Sequence, residues 1–177
     1  MRTNADRGEP WPGLRQLDPA AFGADLDALM DVYRAAMGVA AVQLPGRRAI
    51  MEAHAANPGF RGLAVTAPSG ATMADPGPSA GPADGTVIAF AYGFHGGRGQ
   101  WWHDLVRSAL ISRWGHAAAI EWLDDSFEVA EVHVHPEYQR RGIGRRMLYL
   151  LTGYRFSGAP VPYAVMGAAL PLLATRS

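Results

Sequence analysis

The stretch that decides the fold is Glu131-Val132-His133-Val134-His135-Pro136-Glu137-Tyr138-Gln139-Arg140-Arg141-Gly142-Ile143-Gly144. Val132 and Val134 alternate with polar residues, which is a strand pattern, and Pro136 ends it. The chain then turns through two glycines. Ile143, Met147, Leu148 and Leu151 recur on one face of a helix that follows. Such a turn offers backbone N–H groups and the positive end of a helix dipole to an anion. Glycine at 142 and 144 removes side chains where a phosphate must approach the backbone. Arg140, Arg141, Arg145 and Arg146 add full charges nearby. Together these suit a pyrophosphate or a 3′-phosphate. Two other phosphate-binding patterns do not fit. Met147 stands where a dinucleotide fingerprint needs its third glycine, and no Gly-Lys-Ser/Thr of a P-loop occurs.

Outward from this stretch, 177 residues suit one domain with a sizeable core. Hydrophobic content of 49% with 18% charged residues is that of a soluble globular protein. There is no cysteine, which excludes disulfides, thiolate nucleophiles and Cys-ligated zinc. There is no lysine either, which excludes Schiff-base chemistry on the chain itself. The formal net charge is zero, so global attraction to nucleic acid or an anionic membrane is not expected. The N-terminus lacks the apolar core of a signal peptide. No segment approaches the roughly 18–20 apolar residues of a membrane span. These readings together give a cytoplasmic protein with no nucleic-acid and no membrane partner.

Residues 1–13 read as a flexible leader, and 14–177 as a single domain. Leu14 to Leu17 reads as a short strand. Asp18-Pro19 is a helix start, with Asp as cap and Pro in the first turn. Leu26, Leu29, Met30, Tyr33 and Met37 form one helical face, and Gly38 is the stop. Pro45 to about Ala56 reads as a second helix, closed by Asn57-Pro58. Phe60 to Ala67 and Thr86 to Phe94 are strands. Residues 68–85, rich in Pro, Gly, Ala and Ser, read as a disordered insertion loop. Trp101 to about Ala119 is aromatic-rich and partly helical. Phe127 to Val134 is the strand that enters the glycine turn. Residues 154–156 and 163–166 read as short terminal strands.

The longer pattern Val132-x-Val134-x-Pro136-x-x-Gln139-Arg140-Arg141-Gly142-Ile143-Gly144, followed by an apolar helix, resembles the acyl-CoA motif of the GNAT N-acetyltransferases. The upstream order of two helices and a strand pair is similar to that superfamily too. The resemblance implies an α/β fold: a mixed, mostly antiparallel sheet flanked by helices. It implies an N-acetyltransferase that uses acetyl-CoA as co-substrate and acts on an amine of a small molecule or peptide. Cofactor contacts are expected at Val132, His133, Val134, Gln139, Arg140, Arg141, Gly142, Ile143, Gly144 and Arg145. Val134 would offer its backbone to the acyl group and pantetheine arm, and 139–145 would cradle the pyrophosphate. Members of the family are often dimers, so a homodimer is a further expectation.

An amine must lose a proton before it attacks a thioester, so a base is needed. Glu131 and Glu128 are the candidates, with a lean toward Glu131. Their odd spacing puts them on opposite faces of a regular strand, unless a bulge intervenes. His133 could relay the proton instead. His133-x-His135, with Glu137 and His116, has the residue types of a metal site, but a plain strand end accounts for the pair and no metal is expected. Trp101, Trp102 and His103 are the candidate acceptor-pocket residues. Aromatic walls beside Asp104, Asp124 and Asp125 would suit a cationic amine.

The chain also departs from the family pattern. Only Arg145 to Leu151 separates the glycine turn from Thr152-Gly153-Tyr154. The family places another strand and helix there, and such a unit needs at least about 10–12 residues. One strand-helix unit is therefore expected to be missing. The general-acid tyrosine it usually carries is not assigned to Tyr149 or Tyr154. The second functional expectation follows: a catalytically impaired CoA-binding or protein-interaction remnant.

Overall fold

The computed structural model describes residues 13–67, 85–123 and 126–152. The leader before residue 13, the insertion at 68–84 and the terminal strands lie outside the described residues. So does the place of the missing strand-helix unit. The chain divides into two compact units.

The first unit is a four-stranded sheet with helices on both faces. Its strands are β1 (Leu14–Leu17), β2 (Arg61–Thr66), β3 (Val87–His95) and β4 (Phe127–Val134), in that spatial order, with every neighbouring pair antiparallel. One face carries α1 (Pro19–Met37) and α2 (Leu44–Ala55); α5 (Ile143–Thr152) lies on the other. Helix α1 starts where its signals place it. The Asp18 carboxylate accepts the Ala21 N–H at 2.8 Å, and Gly38 closes the helix at φ 63°. Its apolar face buries Phe22, Leu26, Leu29, Met30 and Val32, while Met37, expected on that face, is 54% exposed.

Strand β3 is buried on both faces from Val87 to Phe94, which is why it reads as an unbroken apolar run. Phe90, Tyr92 and Phe94 face α1 and α2; Ile88, Ala89 and Ala91 belong to the core under α5. Met147 and Leu151 of α5 fill that second core together with Leu63 and Val65 of β2. Burying such side chains contributes about 1.5–3 kcal/mol each before entropy is counted.

The ladder between β3 and β4 holds a bulge. Tyr92 pairs with Glu131 but Gly93 pairs with Val129, so Ala130 is the extra residue. Gly93 is required there: a Cβ would come within 2.4 Å of the Glu128 carbonyl oxygen and 2.7 Å of the Phe127 ring.

The second unit contains α3 (Trp101–Trp114) and α4 (His116–Leu123), joined at Gly115 with φ 89°. Leu110, Ala119 and Leu123 form its small core, and Trp114 stacks on Trp122. Two helices thus occupy the stretch that its sequence marked as partly helical. No described helix is long and apolar enough to cross a membrane.

Candidate active site

The bulge decides which way the motif carboxylates point. A regular strand would send Glu128 and Glu131 to opposite faces. With Ala130 inserted, Glu128 pairs with Phe94 and Glu131 with Tyr92, and both of those side chains belong to the core beneath α1 and α2. The two carboxylate residues therefore share the face covered by those helices.

Glu131 is the centre of a buried polar network. Its side chain is 2% exposed. Oε1 accepts the Tyr92 hydroxyl at 2.8 Å and pairs with the Arg47 guanidinium of α2. Oε2 lies 2.9 Å from His133 Nε2. Arg47 also lies over the Tyr33 ring, which stands nearly perpendicular to the His133 ring at 5.1 Å between centroids. A buried carboxylate is tolerable only when its lone pairs find donors and its charge finds a partner, and this arrangement supplies both. Among the described residues the Arg47 Nε is buried with no hydrogen-bond partner.

Tyr92 and His54 extend the network. Burial, then the adjacent Glu131 charge and hydrogen bond, pushes the Tyr92 hydroxyl far above its usual range, so it remains a donor. Its proton goes to Glu131. His54 Nδ1, 3.0 Å from the same hydroxyl oxygen, must therefore bring a proton of its own. Burial lowers the His54 pKa; the Glu131 charge opposes that and the Arg47 charge adds to it. The sign of the pH effect follows. An unfolded chain takes up a proton near the ordinary value of 6.5, which folded His54 resists, so stability falls as pH drops below that point. Above it His54 contributes no pH dependence. The melting temperature of the protein should fall from about pH 7 to about pH 5, and His54→Gln should flatten part of that slope. Parallel profiles for the two proteins would remove His54 as the cause.

The glycine turn lies at the end of β4. His135 N–H donates to the Ile88 carbonyl at 2.8 Å, so the alternation of the ladder turns the backbone groups of Val132 and Val134 away from β3. Among the described residues β4 is the last strand of the sheet, so these groups face its outer edge. The Gln139 side chain donates to the Val134 carbonyl at 3.0 Å and ties the turn to the strand end. Arg140 at φ 58° and Gly142 at φ 78° bend the chain into α5. A Cβ at Gly142 would meet nothing within 4 Å, whereas one at Gly144 would touch Val134 and Val132 at 3.6 and 3.7 Å. The first N–H groups of α5 have no acceptor within the helix, and the Gly142 carbonyl already accepts the Arg146 N–H at 3.0 Å. Arg140 and Arg145 are exposed; Arg141 donates to the Glu137 carbonyl at 2.8 Å and lies over the Tyr138 ring. An open, donor-rich turn with cationic rims fits a pyrophosphate group.

The other predicted residues divide as follows. His133 meets Glu131 directly, while His135 packs against Tyr138, so the two histidines serve different partners. Trp101, Trp102 and His103 lie on α3 in the second unit, where Trp101 is 77% exposed and His103 is buried. Sequence reasoning missed Arg47, His54 and Tyr92. Only Tyr92 carried a signal: a hydroxyl inside an otherwise apolar strand has to find a polar partner.

Comparison with known proteins agrees with this geometry. Residues 71–157 match the Acetyltransferase (GNAT) family. A GCN5-like protein acetyltransferase of Mycobacterium tuberculosis is 28% identical over 123 aligned residues, which cover 49% of this chain and 60% of that protein. This chain thus spans less than two thirds of that relative's length. The family match runs through the bulged strand, the glycine turn and α5, and with this relative it supports membership of the GNAT superfamily of acetyltransferases.

Proposed function

We propose that the protein transfers an acetyl group from acetyl-CoA to an amine of a small molecule or peptide. The observation that carries this is the bulged β4 running into the open glycine turn at the start of α5. The N–H groups of 139–145, with Arg140 and Arg145 at the rim, would hold the pyrophosphate. The outward backbone groups of Val132 and Val134 would take the pantetheine arm, and the bound thioester supplies the acetyl group. Deprotonation of the amine is assigned to the face of β4 under α1 and α2, where Glu131 and Glu128 supply negative charge. A buried carboxylate of this kind can hold a cationic transition state only where it is fixed, and three donors fix Glu131.

The test is calorimetric titration of the full chain with acetyl-CoA, followed by acetyl transfer to spermidine, tyramine and a lysine-bearing peptide. Saturable binding with a raised melting temperature and acetylated product supports the reading. No binding rejects it. Binding without transfer to any amine would favour the alternative, a CoA-binding remnant, which the family match does not favour.

A further inference from the structure

The Glu131 carboxylate is poorly placed to meet an amine itself. Its side chain is 2% exposed and both oxygens are engaged, one by Tyr92 and Arg47 and the other by His133. The His133 side chain, at 14% exposed, is the more accessible of that pair. Its Nε2 is the nitrogen that Glu131 holds. An acceptor-only carboxylate requires a proton on that nitrogen, which leaves the Nδ1 lone pair in the neutral ring.

We propose that His133 is the proton acceptor of the reaction and that Glu131 is its positioning residue. This deepens the acetyltransferase reading and rests on it. The ammonium N–H bond breaks and an Nδ1–H bond forms. The positive charge moves onto the imidazole, and the amine keeps the electron pair with which it attacks the thioester carbonyl. The new C–N bond forms as the C–S bond breaks. CoA leaves as the thiolate and takes the proton that the acylated nitrogen sheds. The ring returns its Nδ1 proton to water, so protons and charge balance.

The surroundings are arranged for that cycle. Glu131 lies 2.9 Å from Nε2, where it fixes the tautomer and compensates the imidazolium. The Tyr33 and Phe90 rings flank the imidazole and limit its rotation. The titratable and charged groups facing the pair are Tyr33 of α1, Arg47 and His54 of α2, Tyr92 of β3 and Glu131 itself. Because Arg47 and Tyr92 both bind Oε1, Oε2 is left to the histidine.

Two measurements test this, one of them independent of turnover. Nitrogen-15 NMR of the full chain should show His133 as the Nε2–H tautomer, and Glu131→Gln should mix the two tautomers, because an amide can donate as well as accept. A ring found as Nδ1–H, or a tautomer unmoved by Glu131→Gln, overturns the proposal. In the second measurement, His133→Ala should lower kcat by about 100-fold or more, and added imidazole should restore part of the rate. The variant should also lose the ionisation limb of the kcat/KM profile. An active wild type with His133→Ala within fivefold and the limb retained rejects the role of His133 and leaves the acetyltransferase reading standing. A wild type that binds no acetyl-CoA rejects that reading instead.

Discussion

Replacing Glu131 by Met is expected to destabilise the protein by about 3 kcal/mol, the lower part of the range for breaking a buried ion pair. The lower part applies because the Arg47 side chain keeps 29% of its surface in water. The physical cause is not the lost attraction alone. Removing the carboxylate strands the Arg47 guanidinium, whose Nε already has no partner among the described residues, and leaves the buried Tyr92 hydroxyl without its acceptor. For a domain of this size such a loss lowers the melting temperature by roughly 6–12 °C. The double variant Arg47→Met with Glu131→Met should recover a large part of that loss, because no buried charge then lacks a partner. Urea melts of the wild type, both single variants and the double variant measure the coupling directly. A single-variant loss below about 1 kcal/mol, or strict additivity in the cycle, would mean that the pair is not a buried electrostatic unit.

That network shows where the sequence stops being legible. The helix caps at Asp18 and Gly38, the strand Phe127–Val134 and the glycine turn into α5 all rest on local chemistry, and each lies where its residues place it. The bulge at Ala130 leaves no comparable local mark. It depends on Gly93 across the ladder, where any Cβ would collide with the bulged strand. Without it, Glu128 and Glu131 are assigned to opposite faces, and the polar side of the strand cannot be drawn correctly. Arg47 was illegible for a similar reason. On the sequence it is one of two arginines on a half-exposed helix. Only the packing of α2 against the sheet distinguishes it from Arg48, whose partners Asp27 and Glu52 lie at the exposed surface. Pair contacts between residues more than 80 positions apart are set by the tertiary fold, and no periodicity encodes them. The acceptor side was the least legible part. Trp101, Trp102 and His103 rest on an aromatic cluster and on the family resemblance, and an aromatic cluster reads alike in a sequence whether it lines a pocket or packs a helix.

Gly142→Glu should abolish acetyl-CoA binding, and the reasons can be separated. The position has φ 78°, so any side chain there carries a local strain of about 1–2 kcal/mol. A Cβ meets nothing within 4 Å, so no clash accompanies that strain. Gly142→Asn therefore serves as the control, since Asn tolerates the left-handed region and adds no charge. The glutamate adds a negative charge at the mouth of the turn. Two like charges about 4 Å apart repel by about 4 kcal/mol at an effective dielectric near 20. Arg140 and Arg145 at the rim and dissolved salt reduce that figure. What remains should still exceed the 2.8 kcal/mol or so that corresponds to a 100-fold loss of affinity. The expected calorimetric result is a modest change for Gly142→Asn and no detectable binding for Gly142→Glu. Raising the salt concentration should restore part of the binding, because the cause is charge. Equal losses in both variants would point to strain in the turn as the cause. Unchanged affinity in Gly142→Glu would remove the turn from the cofactor site, and with it the structural ground for placing acetyl-CoA beside β4.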